Sequence, residues 1–178
     1  GSTTINAQII YDIIRKLPET SEIEIISNDG KLLTLRSNGS RFSLACLPKE
    51  DFPIIETNTD GNKIKASAEI LYKLIDKTKF AISNEETRYF LNGLYCNITK
   101  ENNNSFITFV GTDGHRLAKF SSTNNDISLE VPGVIIPKKT INELSKLLSE
   151  NFSQIQLDIT ANKIVFYIDK LILISKLI

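Results

Sequence analysis

The sequence lacks methionine and tryptophan, and it has one histidine, two cysteines and no net charge. No run of eighteen apolar residues occurs, so we expect no transmembrane helix. The first apolar stretch is short and mixed with polar residues, which argues against a signal peptide. The 21 basic and 21 acidic residues cancel, whereas proteins that neutralise many phosphates are usually basic. We therefore expect only a local patch to contact nucleic acid.

The scarcity of cysteine and histidine makes a metal site or a metal cofactor unexpected. Neither cysteine belongs to a C-x-x-C pair, and one histidine cannot complete a zinc site with them. Both cysteines alternate with apolar residues, as small buried side chains in strands do. The alternating neighbours are Phe42 and Leu44 for Cys46, and Leu94 and Ile98 for Cys96. Free thiols fit the cytoplasm.

The chain begins Gly1-Ser2. That dipeptide is typical of a cloning scar, and together with the absence of methionine it predicts a piece cut from a longer protein.

A helix followed by three short strands recurs along the chain. In the first repeat an apolar stripe predicts the helix, Ile23 and Ile25 begin a strand, and a third strand covers residues 41–47. In the last repeat Ile155, Leu157 and Ile159 alternate in the same way. The helical stripes are Ile9, Ile10, Ile13, Ile14 and Leu17 in the first repeat, and Ile141, Leu144 and Leu148 in the last. The repeats align with Ile23 on Ile155, Leu32 on Ile164, Phe42 on Ile172, and Leu47 on Leu177.

A middle repeat keeps the same pattern. Its helix is predicted over residues 67–79, and its strands over 93–98, 106–111 and 117–121. The stretch from Pro48 to Lys63 is rich in Pro, Asp, Asn and Gly, which predicts a linker. Because each amphipathic helix needs a sheet to cover its stripe, the repeats predict an α+β layered fold.

The polar faces of the predicted helices carry many cations. Such faces are usually just solvated, whereas a sharper interpretation is a modest cationic lining for phosphates. The cations are Arg15, Lys16, Lys73, Lys77, Lys79, Lys138, Lys139 and Lys146.

The single histidine lies in TDGHRLA, residues 112–118. Asp113 and His115 would suit an acid–base pair in a hydrolase, but no nucleophile motif or third triad member accompanies them. The same residues are compatible with a purely structural histidine and with a generic non-catalytic protein-interaction domain. Asp113-Gly114 suits a tight turn between two strands.

TDGHRLA and four further stretches resemble the bacterial β sliding clamp, the processivity subunit of DNA polymerase III. The others are SRFSLACLPKEDFP, TRYFLNGLYC, VIIPKKTINEL and ISKL, in the family's order. The resemblance implies a DNA-clamp fold of repeated helix-plus-three-strand units, with antiparallel sheets outside and helices on the inner face. It places the second half of clamp domain one and its linker at residues 3–57 and clamp domain two at 58–178. The first half of domain one and domain three are then missing.

The resemblance also implies a function without catalysis and without cofactors. Two subunits of such a protein close a ring around duplex DNA in the bacterial cytoplasm. Short peptides of the polymerase III alpha subunit, the clamp loader and repair polymerases bind in a hydrophobic groove. One wall of that groove falls on Arg88, Leu91, Thr112, Gly114, His115, Arg116 and Leu117.

Two further sets of residues take roles from the resemblance. The helix cations named above and Tyr89 are expected to face DNA. Phe42 and Leu44 are expected on the strand that closes the ring with domain three of the other subunit.

Overall fold

The computed structural model describes residues 2–27, 30–55, 61–102, 104–124, 127, 130–149 and 154–178. The chain divides into two compact units, Gly1–Ile55 and Glu56–Ile178. No helix among these residues is long and apolar enough to cross a membrane.

The first unit contains one helix and one four-stranded antiparallel sheet, followed by a 3₁₀ turn at Lys49–Asp51. The strand order is β1-β4-β3-β2. The elements are β1 (Thr4–Ile5), α1 (Ala7–Arg15), β2 (Glu24–Ser27), β3 (Leu32–Ser37) and β4 (Ser40–Leu47). The three predicted strands and the predicted helix are therefore confirmed, and β1 is additional.

Local signals explain the helix of the first unit. The Asn6 side chain caps α1 by accepting a hydrogen bond from the Ile9 backbone N–H at 3.0 Å, which satisfies one of the free donors at the helix start. Leu33 and Leu35 are buried in the sheet, whereas no residue of α1 is buried. The expected turn at 28–30 keeps a left-handed glycine at Gly30, with φ of 72°, while residues 28 and 29 lie outside the described residues.

The second unit contains two four-stranded antiparallel sheets, with orders β8-β7-β6-β9 and β12-β11-β10-β5. Its helices are α2 (Ala68–Asp76) and α3 (Lys138–Leu147). Its strands are β5 (Asn62–Ser67), β6 (Gly93–Glu101), β7 (Asn104–Thr112), β8 (Leu117–Thr123), β9 (Val131–Pro137), β10 (Gln154–Ile159), β11 (Lys163–Ile168) and β12 (Leu171–Lys176). The predicted strands of the middle and last repeats are confirmed.

One hydrophobic core joins both sheets and both helices of the second unit. Leu71, Leu74 and Ile75 of α2 meet Ile141 and Leu144 of α3 in that core, each at most 1% exposed. The helical stripes predicted for these two repeats are thus the faces that the sheets cover.

The predicted linker over residues 48–63 was too long. Asn62 and Lys63 begin β5, which pairs with β10 through Asn62 opposite Ile159 and Lys63 opposite Asp158. Pairing with a strand far along the sequence outweighs a polar local composition, because strand preference depends strongly on context.

The helix of the middle repeat ends before the predicted boundary at residue 79. Thr78 is buried, and its hydroxyl donates to the Leu74 carbonyl oxygen at 2.6 Å. Such side-chain hydrogen bonds compete with continuation of a helix. A short 3₁₀ turn, Lys79–Ala81, follows instead.

The strand registers correct part of the expected repeat alignment. Leu35 lies opposite Phe42 in the first unit, as Phe166 lies opposite Leu173 in the second. Phe42 therefore corresponds to Leu173 and not to Ile172. Likewise Leu33, and not Leu32, corresponds to Ile164. A shift of one residue moves a side chain to the other face of a sheet, so only the register fixes the match.

The two cysteines differ in burial. Cys96 is buried as predicted, and burial raises the pKa of its thiol to about 12. Cys46 lies on the same face as Phe42 and Leu44, but it is only half-buried.

Candidate functional site

The turn between β7 and β8 is built by two side chains that accept backbone hydrogen bonds. Asp113 Oδ1 accepts from the backbone N–H groups of His115 and Arg116, each at 3.0 Å. The Thr112 hydroxyl accepts from the Gly114 N–H at 3.2 Å and donates to the Arg116 carbonyl oxygen at 2.8 Å. Gly114 has a φ of 89°, which favours glycine. The predicted tight turn is confirmed.

These bonds also set the charge state of the turn. The backbone N–H of His115, followed by that of Arg116, holds the pKa of Asp113 below its ordinary value, because hydrogen bonds to a carboxylate favour the charged form. Asp113 is thus engaged with the backbone and Arg116. Within the described residues, no hydrogen bond reaches the His115 imidazole, so the two side chains do not form an acid–base pair here.

Arg116 is held by three contacts. Its Nε donates to Asp113 Oδ2 at 3.0 Å, and its Nη2 donates to the Phe80 carbonyl oxygen at 2.9 Å. The guanidinium carbon also lies 5.9 Å from the centroid of the Phe80 ring. The side chain nevertheless remains largely exposed, so the guanidinium presents a fixed cationic surface.

Phe80 is a residue of this surface that sequence reasoning missed. It lies in the 3₁₀ turn after α2 and its side chain is 59% exposed. The chain before it approaches β7 closely, since a Cβ at Gly111 would lie 2.6 Å from the Thr78 carbonyl oxygen. Gly111 therefore allows the contact that brings Phe80 beside Arg116. No local sequence signal marks this contact.

Arg88 and Leu91 come from a second 3₁₀ segment, Glu86–Leu91. Arg88 Nε donates to Glu85 Oε2 at 2.9 Å. A Cβ at Gly114 would lie 2.9 Å from Arg88 Nη1, so this arginine reaches the turn. Leu91 is half-buried, and its carbonyl oxygen accepts from the Ser83 N–H at 3.1 Å.

Leu117 completes the apolar part of the surface. It begins β8 directly after the turn and is 66% exposed. An exposed leucine beside an exposed phenylalanine and two arginines is a suitable surface for a short peptide with apolar and acidic groups. We call Phe80, Arg88, Leu91 and residues 112–117 the turn surface.

The predicted DNA-facing cations are mostly paired with acidic residues of their own helix or turn. Arg15 pairs with Asp12, Lys73 with Glu69, Lys77 and Lys79 with Asp76, and Lys146 with Glu143. Lys138 donates to the Asn84 side chain. Within the described residues Lys16 and Lys139 have no ion pair and are exposed. Tyr89 is also exposed, and its ring packs edge-on against Phe90.

Comparison with known proteins decides the family. Residues 65–178 match the model of the DNA polymerase III beta subunit, central domain, and residues 1–56 match that of its N-terminal domain. This chain belongs to the DNA polymerase III beta subunit family.

Relatives in this family are similar along the whole chain. The chain is 38% identical over 179 residues to the beta sliding clamp of Caulobacter vibrioides and 34% identical over 178 residues to that of Escherichia coli K12. The matches cover 100% of this chain, and 48% and 47% of these relatives. The chain thus spans about half the length of the beta sliding clamps it matches.

Solved beta subunits share the fold. A Bartonella birtlesii sliding clamp bound to griselimycin has a TM-score of 0.85 and 40% identity, covering 99% of this chain and 47% of that one. A C. crescentus beta sliding clamp has a TM-score of 0.88 and 39% identity, covering 100% and 48%. The α+β clamp fold expected from the sequence is confirmed.

The strand expected to close a beta-subunit ring has one edge largely open. Phe42 and Leu44 lie half-buried on β4, whose inner edge pairs with β3. On the other edge, β1 pairs only with Cys46 and Leu47. Among the described residues, no strand covers that edge from Ser40 to Ala45.

No group of three or more metal-ligating side chains occurs among the described residues. The turn surface, the helix cations and the β4 edge are therefore the features that bear on function.

Proposed function

We propose that this chain supplies part of a sliding clamp that encircles duplex DNA and tethers the replicative polymerase. The observation that carries the proposal is the match of both consecutive family domains along one chain. In this proposal the protein has no catalytic role and acts in the bacterial cytoplasm as a closed homodimeric ring.

The charge arrangement supports a ring that slides. Each phosphate that a protein neutralises adds a salt-dependent hold on DNA. Here most cations on the helices already have an acidic partner one helical turn away, which leaves Lys16 and Lys139 as weak guides. Retention would then come from ring closure, with Phe42 and Leu44 on the open β4 edge as the contact strand.

The turn surface supports the tethering role. Leu117 and Phe80 offer apolar contact, and Leu91 lies in the segment that carries Arg88. Thr112 and Gly114 shape the turn that presents His115, while Arg116 and Arg88 provide donors for peptide carbonyl or carboxylate groups. The proposed guests are short peptides of the polymerase III alpha subunit, the clamp loader and repair polymerases.

A chimeric protein tests the ring proposal. This chain replaces the 179 aligned residues of the Caulobacter vibrioides clamp, and the chimera is loaded onto nicked circular duplex by the matching clamp loader. We expect it to stay with the circle during gel filtration and to leave after the circle is cut.

Light scattering provides the folding control for the chimera. A chimera that forms dimers but is never retained on the circle would contradict the ring proposal. A chimera that is retained equally on linear duplex would indicate direct binding, which also contradicts it.

A further inference from the structure

The second unit shows how two repeats complete each other. The strand β5 leads into α2 but pairs with β10, which follows α3. The strand β9 leads into α3 but pairs with β6, which follows α2. Each repeat thus lends its leading strand to the first strand of the other repeat's sheet.

The first unit contains one repeat, and its leading strand has a different partner. The strand β1 leads into α1 but pairs with β4 at the far edge of its own sheet. The corresponding edge, that of β2, has no outer neighbour among the described residues. An unpaired strand edge is a site where another chain can pair.

The helix of the first unit is equivalent to α2 but is not covered as α2 is. Asn6 and Ser67 occupy the same N-cap position, so Ile10, Ile13 and Ile14 correspond to Leu71, Leu74 and Ile75. All three α2 residues are buried, whereas no α1 residue is, and Ile14 is 43% exposed against 0% for Ile75.

The first strand shows the same contrast. Ile25 lies opposite Leu35, as Leu157 lies opposite Phe166. Ile25 is 56% exposed, whereas Leu157 is 3% exposed. Ile23, two residues earlier on the same face, is 38% exposed against 1% for Ile155. The core positions of a repeat that lack cover here are thus those that a second repeat covers in the second unit.

The contact that β1 makes within its own sheet is small. It consists of two residue pairs, Thr4 with Leu47 and Ile5 with Cys46, and one hydrogen bond from the Thr4 hydroxyl to the Leu47 carbonyl oxygen at 2.9 Å. By contrast, β5 makes six residue pairs with β10. Leaving β4 therefore breaks few contacts.

We propose that two copies of this chain exchange β1. In this dimer β1 of each copy leaves β4 and pairs antiparallel with β2 of the other copy, and the two α1 helices pack together as α2 and α3 do. The burial of apolar surface on α1 and β2 drives the association, and the two-fold arrangement satisfies both open β2 edges at once. The register of Ala66 opposite Ile155 places Ile5 of one copy opposite Ile23 of the other.

Two cysteine variants of the whole chain distinguish the two pairings of β1. The first, Ile5→Cys with Ile23→Cys and Cys46→Ser, forms a disulfide between copies if β1 is exchanged. The second, Ile5→Cys with the native Cys46, forms a disulfide within one copy if β1 stays on β4. Paired residues on adjacent antiparallel strands are close enough for a disulfide, and the buried Cys96 stays out of the reaction.

We expect light scattering to give twice the 20.0 kDa chain mass for the unmodified protein. The first variant should run as a disulfide-linked dimer on a non-reducing gel. Oxidising the second variant under dilute conditions should trap monomers, and reduction should restore the dimer.

A matched control replaces Ile23→Cys by Leu32→Cys in the first variant. Leu32 is 54% exposed but lies on β3, away from the β2 edge, so we expect no linkage between copies. An unmodified protein that is monomeric overturns the proposal. So does a dimer in which the first variant does not link, or in which the control links equally well.

Discussion

Arg116 and Phe80 form a paired contact although 36 positions separate them in the sequence. The Arg116 guanidinium donates to the Phe80 carbonyl oxygen at 2.9 Å and also lies over the Phe80 ring. The contact ties the turn between β7 and β8 to the segment after α2. It fixes the cation of the turn surface before any guest peptide arrives, which lowers the ordering cost of binding.

The carboxylate of Asp113 should control the order of the turn. Asp113→Ala removes the acceptor for the N–H groups of His115 and Arg116 and the ion pair with Arg116. We expect the amide resonances of both residues to move toward disordered values. Asp113→Asn is the matched control, because an asparagine oxygen supports the same turn. Its backbone resonances should therefore change less than those of the alanine variant.

The same carboxylate predicts the acid response of the turn. Its folded pKa is lowered, so its contribution to stability is complete above the unfolded pKa and is lost as the pH falls through the folded value. In an NMR titration, the His115 and Arg116 amide shifts should change together, at a pH below the ordinary aspartate range. A midpoint at or above that range would contradict this account.

Gly111 should be required for the approach of the Phe80 segment to β7. In Gly111→Val the added Cβ meets the Thr78 carbonyl oxygen and the Leu94 side chain, so the segment must move away. We expect the free energy of unfolding to fall by about 1–3 kcal/mol, as overpacking usually costs, and the Arg116 side-chain resonances to shift.

Lys119→Val on the neighbouring strand is the control for Gly111→Val. Its side chain is exposed, so urea unfolding should change by less than about 0.5 kcal/mol. Equal effects of the two variants would show that the close approach at Gly111 is not important.

Binding to linear duplex DNA should be weak. The chain has no net charge, and most helix cations are paired with carboxylates. In a fluorescence anisotropy titration at about 150 mM salt, near physiological screening, we expect no saturation at micromolar protein. Nanomolar affinity for linear duplex would contradict the sliding mechanism.

The two thiols should react very differently with a thiol reagent at pH 8. Cys96 is buried and has a raised pKa of about 12, so it holds almost no thiolate, the reactive form. Cys46 is half-buried on β4. Mass spectrometry should show one label on the folded protein, at Cys46, and two after unfolding. Early labelling of Cys96 would contradict its burial.

Much of this fold could be predicted from the sequence because its signals are local. The stripes of Ile141, Leu144 and Leu148, and the alternation of Ile155, Leu157 and Ile159, report burial directly. Asp113-Gly114 carries the chemistry of a turn. The ion pairs of Glu69 with Lys73 and of Glu143 with Lys146 were also readable from their spacing.

The missed features depend on contacts between distant segments. The strands β5 and β9 exist because each pairs with the other repeat, and the short β1 depends on β4. Phe80 reaches Arg116 only because Gly111 lets two segments approach. Neither composition nor periodicity reports such contacts.

The most direct test of the account is an NMR titration of this chain with a clamp-binding peptide of the polymerase III alpha subunit. Under the proposed function the opposite wall of the groove comes from a third clamp domain, so we expect weak binding, with a dissociation constant on the order of 1 mM. The shift changes should concentrate on Phe80, Arg88, Leu91 and residues 112–117, and Leu117→Lys should abolish them. Shift changes centred on α2 and α3, or changes at the turn surface that persist in Leu117→Lys, would contradict the assignment of this surface.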